Sequence, residues 1–181
     1  MNIVTSAARL AAATFAGQNR RVNGKPAITH QSELAGLVAT RPWSRDAHVA
    51  AAFTHDNEED DQTGLYGLTT IRAQLGDEVG DMVWWLTKPS SRPENAGLAK
   101  IDKLALDLAH LRLAPNDMKS IKALDRFLNV SDMARDRSSV ERGAAYLAET
   151  DRLLEALEGA EPYCLDLVRG AREQLRAFVE A

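Results

Sequence analysis

The chain has 181 residues, a net charge of −4 and a pI of about 5.6. We predict that residues 1–181 form one domain around a single core. The acidic balance argues against a broad nucleic-acid-binding surface, and the lone Cys164 excludes an internal disulfide and fits a reducing compartment. We find no signal peptide and no run of ~20 apolar residues that would span a bilayer, so we expect a cytoplasmic protein.

Apolar residues at helical spacing predict three helices in the first third of the chain. The first helix covers 3–18, and the second ends before Pro42. Ser44 or Asp46 can cap the third helix, which leads directly into an acidic segment. A polar loop is predicted over 57–68, where glycine and charged residues replace the apolar pattern.

The rest of the chain shows the same pattern, with glycine and proline between the helices. A short helix capped by Thr69 or Thr70 ends at Gly76, and Asp77 caps the next one. A loop over 88–93 follows. Four further helices are predicted: one through 98–111, one that begins at 115–117, one over 139–158 and one over 162–180. Because no run of β-branched residues alternates with period two, the sequence predicts an all-α fold.

The chemistry concentrates in the acidic segment His55-Asp56-Asn57-Glu58-Glu59-Asp60-Asp61, which directly follows a predicted buried helix. Burying carboxylates at the end of a core helix costs free energy unless a cation or hydrogen-bonding groups lie beside them. A histidine beside carboxylates suits Mn²⁺, Fe²⁺ or Zn²⁺ better than Ca²⁺. A metal site is the favoured interpretation, and a solvated loop is the alternative.

Two residues outside this segment are candidate ligands. Asp125 lies beside the apolar stripe of its helix, and His30 lies at a junction between loop and helix. Each also has a plain structural explanation, because Asp125 can pair with Lys122 or Arg126 at the surface and His30 can act as a cap. Four ligands from separate segments would leave coordination positions for water, which a hydrolytic site requires.

Further carboxylates and arginines accompany the candidate ligands. Glu59 lies four residues after His55, and Asp60 lies four after Asp56, so both would project toward the ligands if the helix continued for one turn. The basic pair Arg20-Arg21 supplies fixed cations for an anionic substrate. The pair taken alone is more simply a solvated surface feature.

Short motifs occur along the chain in a particular order. They are Gly17-Gln18-Asn19-Arg20-Arg21, Gly24-Lys25-Pro26-Ala27-Ile28-Thr29-His30, His55-Asp56 with Glu59-Asp60, Leu86-Thr87-Lys88, and Ile121-Lys122-Ala123-Leu124-Asp125-Arg126-Phe127-Leu128-Asn129. Together they resemble the HD-domain alarmone hydrolases, the (p)ppGpp-degrading domains of RelA/SpoT-type proteins. The resemblance covers about residues 5–157, and in architecture it is closest to the stand-alone small alarmone hydrolases.

The resemblance implies a helical HD-domain bundle that hydrolyses the 3′-pyrophosphate of ppGpp or pppGpp to GDP or GTP. It implies one divalent metal per chain, usually Mn²⁺, with other transition metals as alternatives. The implied metal ligands are His30, His55, Asp56 and Asp125, and the implied catalytic carboxylates are Glu59 and Asp60. The implied substrate-binding residues are Arg20 and Arg21 near the guanine base, Asn129 on the nucleotide, and Tyr146 at the pocket.

Several positions depart from the family pattern near the expected nucleotide pocket. Ala27 replaces a usual tyrosine, and Ser131-Asp132 replaces a usual Arg-Thr. Two alternatives therefore stay open: hydrolysis of another nucleotide, such as an adenosine alarmone or NADPH, and a non-catalytic HD domain that binds a nucleotide or a protein. The expected partner is a small nucleotide rather than nucleic acid or membrane, and homo-oligomerisation and a toxin–antitoxin role stay open as well.

Overall fold

The computed structural model describes residues 2–136 and 139–181. Over these residues the chain forms ten α-helices and no strand, which confirms the all-α prediction. The helices are α1 (Ile3–Thr14), α2 (Ile28–Ala39), α3 (Asp46–Thr54), α4 (Asn57–Asp60), α5 (Leu68–Leu75), α6 (Asp77–Leu86), α7 (Lys100–Leu113), α8 (Asn116–Arg135), α9 (Val140–Ala156) and α10 (Pro162–Val179). Two short 3₁₀ turns, Pro89–Ser91 and Pro93–Asn95, lie in and after the predicted 88–93 loop.

The structure corrects two predicted boundaries near the acidic segment. The first helix ends at Thr14 rather than at 18, because the chain turns at Gly17 with a φ of 73°. The predicted polar loop over 57–68 begins instead with the helical turn α4. Asn57 anchors this turn, since its buried amide donates a hydrogen bond to Thr14 Oγ1 at 2.7 Å. The turn carries both acidic residues that are predicted to be catalytic.

The predicted N-caps are wrong at three helices. Helices α3, α5 and α6 follow Arg45, Gly67 and Gly76, whereas caps were expected at Ser44 or Asp46, at Thr69 or Thr70, and at Asp77. Asp46 and Asp77 lie one position further on, in the first turn, where a carboxylate interacts favourably with the positive end of the helix dipole. Gly76 ends α5 as predicted, and its φ of 92° explains why glycine stands there.

Small residues let α3 pack closely with its neighbours. Helix α3 packs against α1, α2 and α6, and its buried Ala50-Ala51-Ala52 meets a core to which α1 contributes Ala7 and Ala11. Alanine side chains permit a short distance between helix axes, and Leu34 and Val38 of α2 complete the core. This packing places the C-terminal end of α3, and hence His55, inside the protein.

Helix α8 carries charged side chains into the interior. It packs against α2, α6, α9 and α10, and every residue from Met118 to Arg126 is buried. Charged side chains are rarely buried without partners, so we expect Lys122, Asp125 and Arg126 to form ion pairs or to bind ligands.

Among the described residues, no helix combines the length and apolar character that crossing a bilayer requires. The assignment of residues 1–181 to one domain remains a prediction.

Candidate metal centre and its cavities

The predicted metal ligands begin at the C-terminal end of α3. His55 is fully buried, and its Nδ1 donates a hydrogen bond to the carbonyl oxygen of Ala52 at 2.9 Å. This bond uses Nδ1 and leaves Nε2 as the atom available to a ligand. Asp56 follows directly, with its Oδ2 3.0 Å from His55 Nε2.

Two other helices bring the remaining candidates to this pair. His30 of α2 and Asp125 of α8 meet with Nε2 3.1 Å from Oδ1, and the same Oδ1 lies 3.8 Å from His55 Nε2. One ligand atom each from His30, His55 and Asp56 lie within 4.8 Å of one another, and Asp125 borders this cluster. The fold therefore brings together all four residues, which come from three separate parts of the chain.

The donor set and its geometry fit a divalent ion. Ligand atoms about 2.1 Å from one ion and at right angles to each other are about 3.0 Å apart. The two His–Asp pairs have separations of 3.0 and 3.1 Å. His55 Nε2 is buried and makes no hydrogen bond, although the carboxylates of Asp56 and Asp125 both face it. A buried nitrogen in that position is costly unless a cation or a proton lies beside it.

The electrostatics of the metal-free centre also favour a positive charge. Burial lowers the pKa of His55, but the charges of Asp56 and Asp125 outweigh burial and raise that pKa to about 10. Burial raises the pKa of Asp125, but Lys122 and the hydrogen bond from His30 hold it well below its usual range. In the metal-free protein a proton on His55 therefore supplies the positive charge between the carboxylates.

This pKa shift predicts how the stability of the metal-free protein depends on pH. The pKa of His55 is higher in the folded state than its ordinary value of 6.5, so the folded protein binds this proton more tightly than the unfolded chain does. Its stabilising contribution is complete below about pH 6.5 and is lost as the pH rises toward about 10. We expect the melting temperature in chelator to fall over this range, and Mn²⁺ to remove most of the fall.

The matched control for this prediction is His55→Gln, which removes the titrating group. In chelator, this variant should show a much smaller fall of melting temperature over the same pH range. A wild-type melting temperature that stays level from pH 6.5 to 10 would contradict the assignment of a raised pKa to His55.

The two predicted catalytic carboxylates have different surroundings. Glu59 accepts hydrogen bonds from the backbone N–H of Lys88 at 2.7 Å and from its Nζ at 2.8 Å. Burial, together with the charges of Asp56 and Glu59, raises the pKa of Asp60. Glu59 is therefore held in one position, whereas Asp60 takes up a proton more readily than an ordinary aspartate does.

The predicted nucleotide-binding residues connect to the metal-ligand candidates. Arg20 donates from Nη2 to Asn129 Oδ1 at 2.8 Å, and Asn129 donates from Nδ2 to Asp125 Oδ1 at 2.6 Å. Arg20 also forms an ion pair with the buried Asp132, one of the residues that departs from the family pattern. Arg21 is exposed. The pairing of Arg20 with Asp132 was not foreseen, because no local pattern joins residues so far apart in the sequence.

Two buried cations lie beside Asp125, where the sequence pattern offered only surface partners. The side chains of Lys122 and Arg126 are just 10% and 8% exposed. Lys122 Nζ lies 3.0 Å from Asp125 Oδ2, and the Arg126 guanidinium lies over the Tyr146 ring at 4.3 Å from its centroid. The spacing of three residues was a usable signal for the Lys122–Asp125 pair, whereas the Arg126–Tyr146 contact depends on how α9 packs.

A solved structure matches this fold over almost its entire length. It is a metazoan ortholog of SpoT, which is described as hydrolysing ppGpp and playing a role in starvation responses. The TM-score is 0.78, 96% of each chain is covered, and 18% of residues are identical. This chain has the HD-domain fold. This match confirms the predicted fold. No protein-family model and no curated protein sequence matches the chain.

Two cavities of the HD-domain fold meet at the predicted site. The larger, of about 820 Å³, is lined by metal-ligand candidates and catalytic candidates together with Arg20, Arg21 and Arg142, and we call it the arginine cavity. The smaller, of about 330 Å³, is lined by Asp125, Lys88, Lys122 and Arg126 among others, and we call it the lysine cavity. Asn129 and Tyr146 line both cavities. His55 lies behind them and is fully buried.

Proposed function

We propose that this protein is a metal-dependent hydrolase that removes the 3′-pyrophosphate from guanosine tetra- or pentaphosphate. Water is consumed, and the products are GDP or GTP and inorganic pyrophosphate. The observation that carries the proposal is the convergence of His30, His55, Asp56 and Asp125 beside the arginine cavity. The choice of substrate is supported by the fold, which is shared with a protein described as hydrolysing ppGpp.

In this proposal the four converging residues hold one divalent cation, with Mn²⁺ as the first choice and other transition metals as alternatives. A bound divalent cation supplies electrophilic assistance to the phosphoryl group and makes water more acidic. Glu59, fixed by its two hydrogen bonds from Lys88, orients the attacking water. Asp60, whose pKa is raised by burial and neighbouring carboxylates, accepts the proton from that water.

The arginine cavity holds the nucleotide in this proposal. Arg20 presents a guanidinium whose plane is fixed by Asn129 and Asp132, which suits stacking on a planar base. Arg21 is exposed on the same cavity and can reach the base or a phosphate. Asn129 contacts the nucleotide, and Tyr146 supplies an aromatic surface at the cavity wall.

A second candidate substrate is an adenosine alarmone or NADPH. Ala27 lines the arginine cavity where the family has a tyrosine, and Asp132 offsets the charge of Arg20 where the family has a threonine. Both departures change the part of the cavity that would contact the base.

A non-catalytic nucleotide-binding domain is the less favoured alternative, because the cluster of candidate ligands is complete and Glu59 and Asp60 lie beside it.

The deciding experiment is to incubate the purified protein with ppGpp, its adenosine analogue and NADPH, each with Mn²⁺ and each with chelator. Release of pyrophosphate from ppGpp only when Mn²⁺ is present is the expected result. Release of pyrophosphate from the adenosine analogue or of phosphate from NADPH, without cleavage of ppGpp, would transfer the proposal to the second substrate class. Metal binding without turnover of any of the three would leave the non-catalytic alternative.

We further propose a cytoplasmic setting, because a lone cysteine fits a reducing compartment, and a small-nucleotide partner, because the arginine cavity can accommodate one. The same reaction serves general alarmone turnover and the neutralisation of a toxin that synthesises alarmone. A homo-oligomer is compatible with either role.

The Arg20–Asp132 ion pair predicts a residue that sets substrate affinity. In Asp132→Asn the side chain keeps its size but loses the charge that holds Arg20, so the guanidinium gains rotational freedom. We expect KM for the nucleotide to rise about tenfold while kcat changes less than about threefold. Steady-state kinetics with Mn²⁺ measure both constants.

The control for this prediction is Asp136→Asn, which removes an exposed carboxylate that pairs with Arg135. Its kinetic constants should match those of the wild type. If Asp132→Asn lowers kcat and leaves KM unchanged, Asp132 does not act through the position of Arg20.

A further inference from the structure

The two cavities beside the metal-ligand candidates differ in charge. Five cationic side chains and three carboxylates line the lysine cavity, and the cations are Lys88, Lys100, Lys103, Lys122 and Arg126. Three arginines and four carboxylates line the arginine cavity. Without a bound metal, the lysine cavity is therefore the one whose charge balance attracts a small anion.

The carboxylates of the lysine cavity already have partners. Asp107 accepts hydrogen bonds from the backbone N–H and the hydroxyl of Ser90 at 2.9 and 2.7 Å. Glu149 accepts from Arg126 Nη2 at 2.5 Å. Asp125 belongs to the metal-ligand candidates and forms the boundary between the cavity and that centre. These contacts leave the cationic groups of the cavity with unused donors.

Arg126 supplies the observation that indicates a ligand. Only 8% of its side chain is exposed, and Nη1 is buried without a hydrogen-bond partner in the described part of the chain. A buried charged donor without a partner is costly, and the guanidinium fork matches the oxygens of a phosphoryl group. Lys122 also has an unused donor. Its ammonium carries three N–H donors, and its contacts with Asp125 at 3.0 Å and with the Leu86 carbonyl at 3.4 Å use two of them.

We propose that the lysine cavity binds a diphosphate group, with Arg126 and Lys122 as its principal contacts. The inference rests on the proposed function, because hydrolysis at the adjoining metal centre releases inorganic pyrophosphate. A volume of about 330 Å³ lies within the range of small-molecule sites. The diphosphate is either the free product or a diphosphate carried by a nucleotide, and both present the same chemistry.

Calorimetric titration of inorganic pyrophosphate into the purified protein in chelator tests the site without any contribution from metal or turnover. Wild-type protein should bind, and Arg126→Gln should bind at least about tenfold more weakly. Arg142→Gln is the matched control, because it removes an arginine from the other cavity, and its affinity should equal that of the wild type. No binding by the wild type, or a loss in Arg142→Gln and not in Arg126→Gln, would overturn the proposal.

If circular dichroism shows that Arg126→Gln does not fold, a second variant tests the site. Lys100→Glu reverses an exposed charge that lines the cavity and removes no buried group. It should weaken pyrophosphate binding several-fold, and an unchanged affinity would count against the site. Displacement of pyrophosphate by GDP would assign the site to a nucleotide diphosphate, and retention of pyrophosphate would assign it to the free product.

Hydrolysis of ppGpp with Mn²⁺, measured on the same protein preparations, separates this inference from the proposed function. Pyrophosphate binding that depends on Arg126, without cleavage of ppGpp, would support the diphosphate site and refute the proposed hydrolysis of ppGpp. Cleavage of ppGpp without such binding would support the activity and refute the site.

Discussion

Replacing Asp125 with alanine is expected to remove metal binding and hydrolysis together. Its Oδ1 lies 3.1 Å from His30 Nε2 and 3.8 Å from His55 Nε2, so the variant loses a candidate ligand that borders both histidines. It also leaves the buried Lys122 ammonium without its carboxylate, and that charge then repels a cation. We expect the affinity for Mn²⁺ to fall more than about a hundredfold, as measured by metal content and Mn²⁺ titration.

The control for Asp125→Ala is Asp117→Ala on the same helix. Asp117 also pairs with a histidine, since its Oδ2 lies 3.0 Å from His48 Nε2, but neither residue lines the two cavities. This control should keep the metal and most of the activity. Asp125→Asn preserves side-chain volume and guards against a simple packing defect. Full activity of a folded Asp125→Ala protein would show that Asp125 is not a ligand.

The Glu59→Gln variant is expected to bind Mn²⁺ like the wild type but to hydrolyse ppGpp much more slowly. A glutamine can still accept the hydrogen bond from the Lys88 backbone N–H, so the side chain should stay in place. It has no charge with which to hold the attacking water, and loss of such a group typically costs about a hundredfold or more in kcat. Single-turnover kinetics with ppGpp and a parallel Mn²⁺ titration measure the two effects separately.

Its neighbour provides the comparison variant. Glu58 lines neither cavity and accepts a hydrogen bond from the Leu68 backbone N–H at 2.5 Å. Glu58→Gln should therefore hydrolyse ppGpp within about twofold of the wild-type rate. An unchanged rate in Glu59→Gln would remove Glu59 from the mechanism, and loss of Mn²⁺ from it would make Glu59 a metal ligand instead.

The helices were predictable because helical periodicity is a local property of the sequence. Nine of the ten helices lie where apolar spacing, caps and the glycine and proline breaks placed them. The exception is α4, which holds its turn through the contact of Asn57 with Thr14 of another helix. The N-caps were less predictable, because side-chain preference at a helix start is worth only about 1 kcal/mol and tertiary packing outweighs it. Gly67 and Arg45 stand at such starts.

The candidate site was predictable to a different degree for each residue. His55 and Asp56 are adjacent in the sequence, so one helix end was enough to place them together. His30 and Asp125 are 95 residues apart, so each could be named as a candidate ligand from its own surroundings, but no local pattern could show that the two meet. The roles of all these residues as metal ligands, catalytic groups and nucleotide contacts remain predictions that the proposed variants test.

The sequence by itself determined the all-α class, the acidic segment after α3 and the residue types available for a metal centre. Only the tertiary structure decided which charges are buried and which groups they face. Arg20 pairs with Asp132, and Arg126 packs on Tyr146, because α8 brings distant segments against one another. Burial and electrostatic pairing depend on distances in space, and no local sequence pattern specifies those distances for residues that lie far apart in the chain.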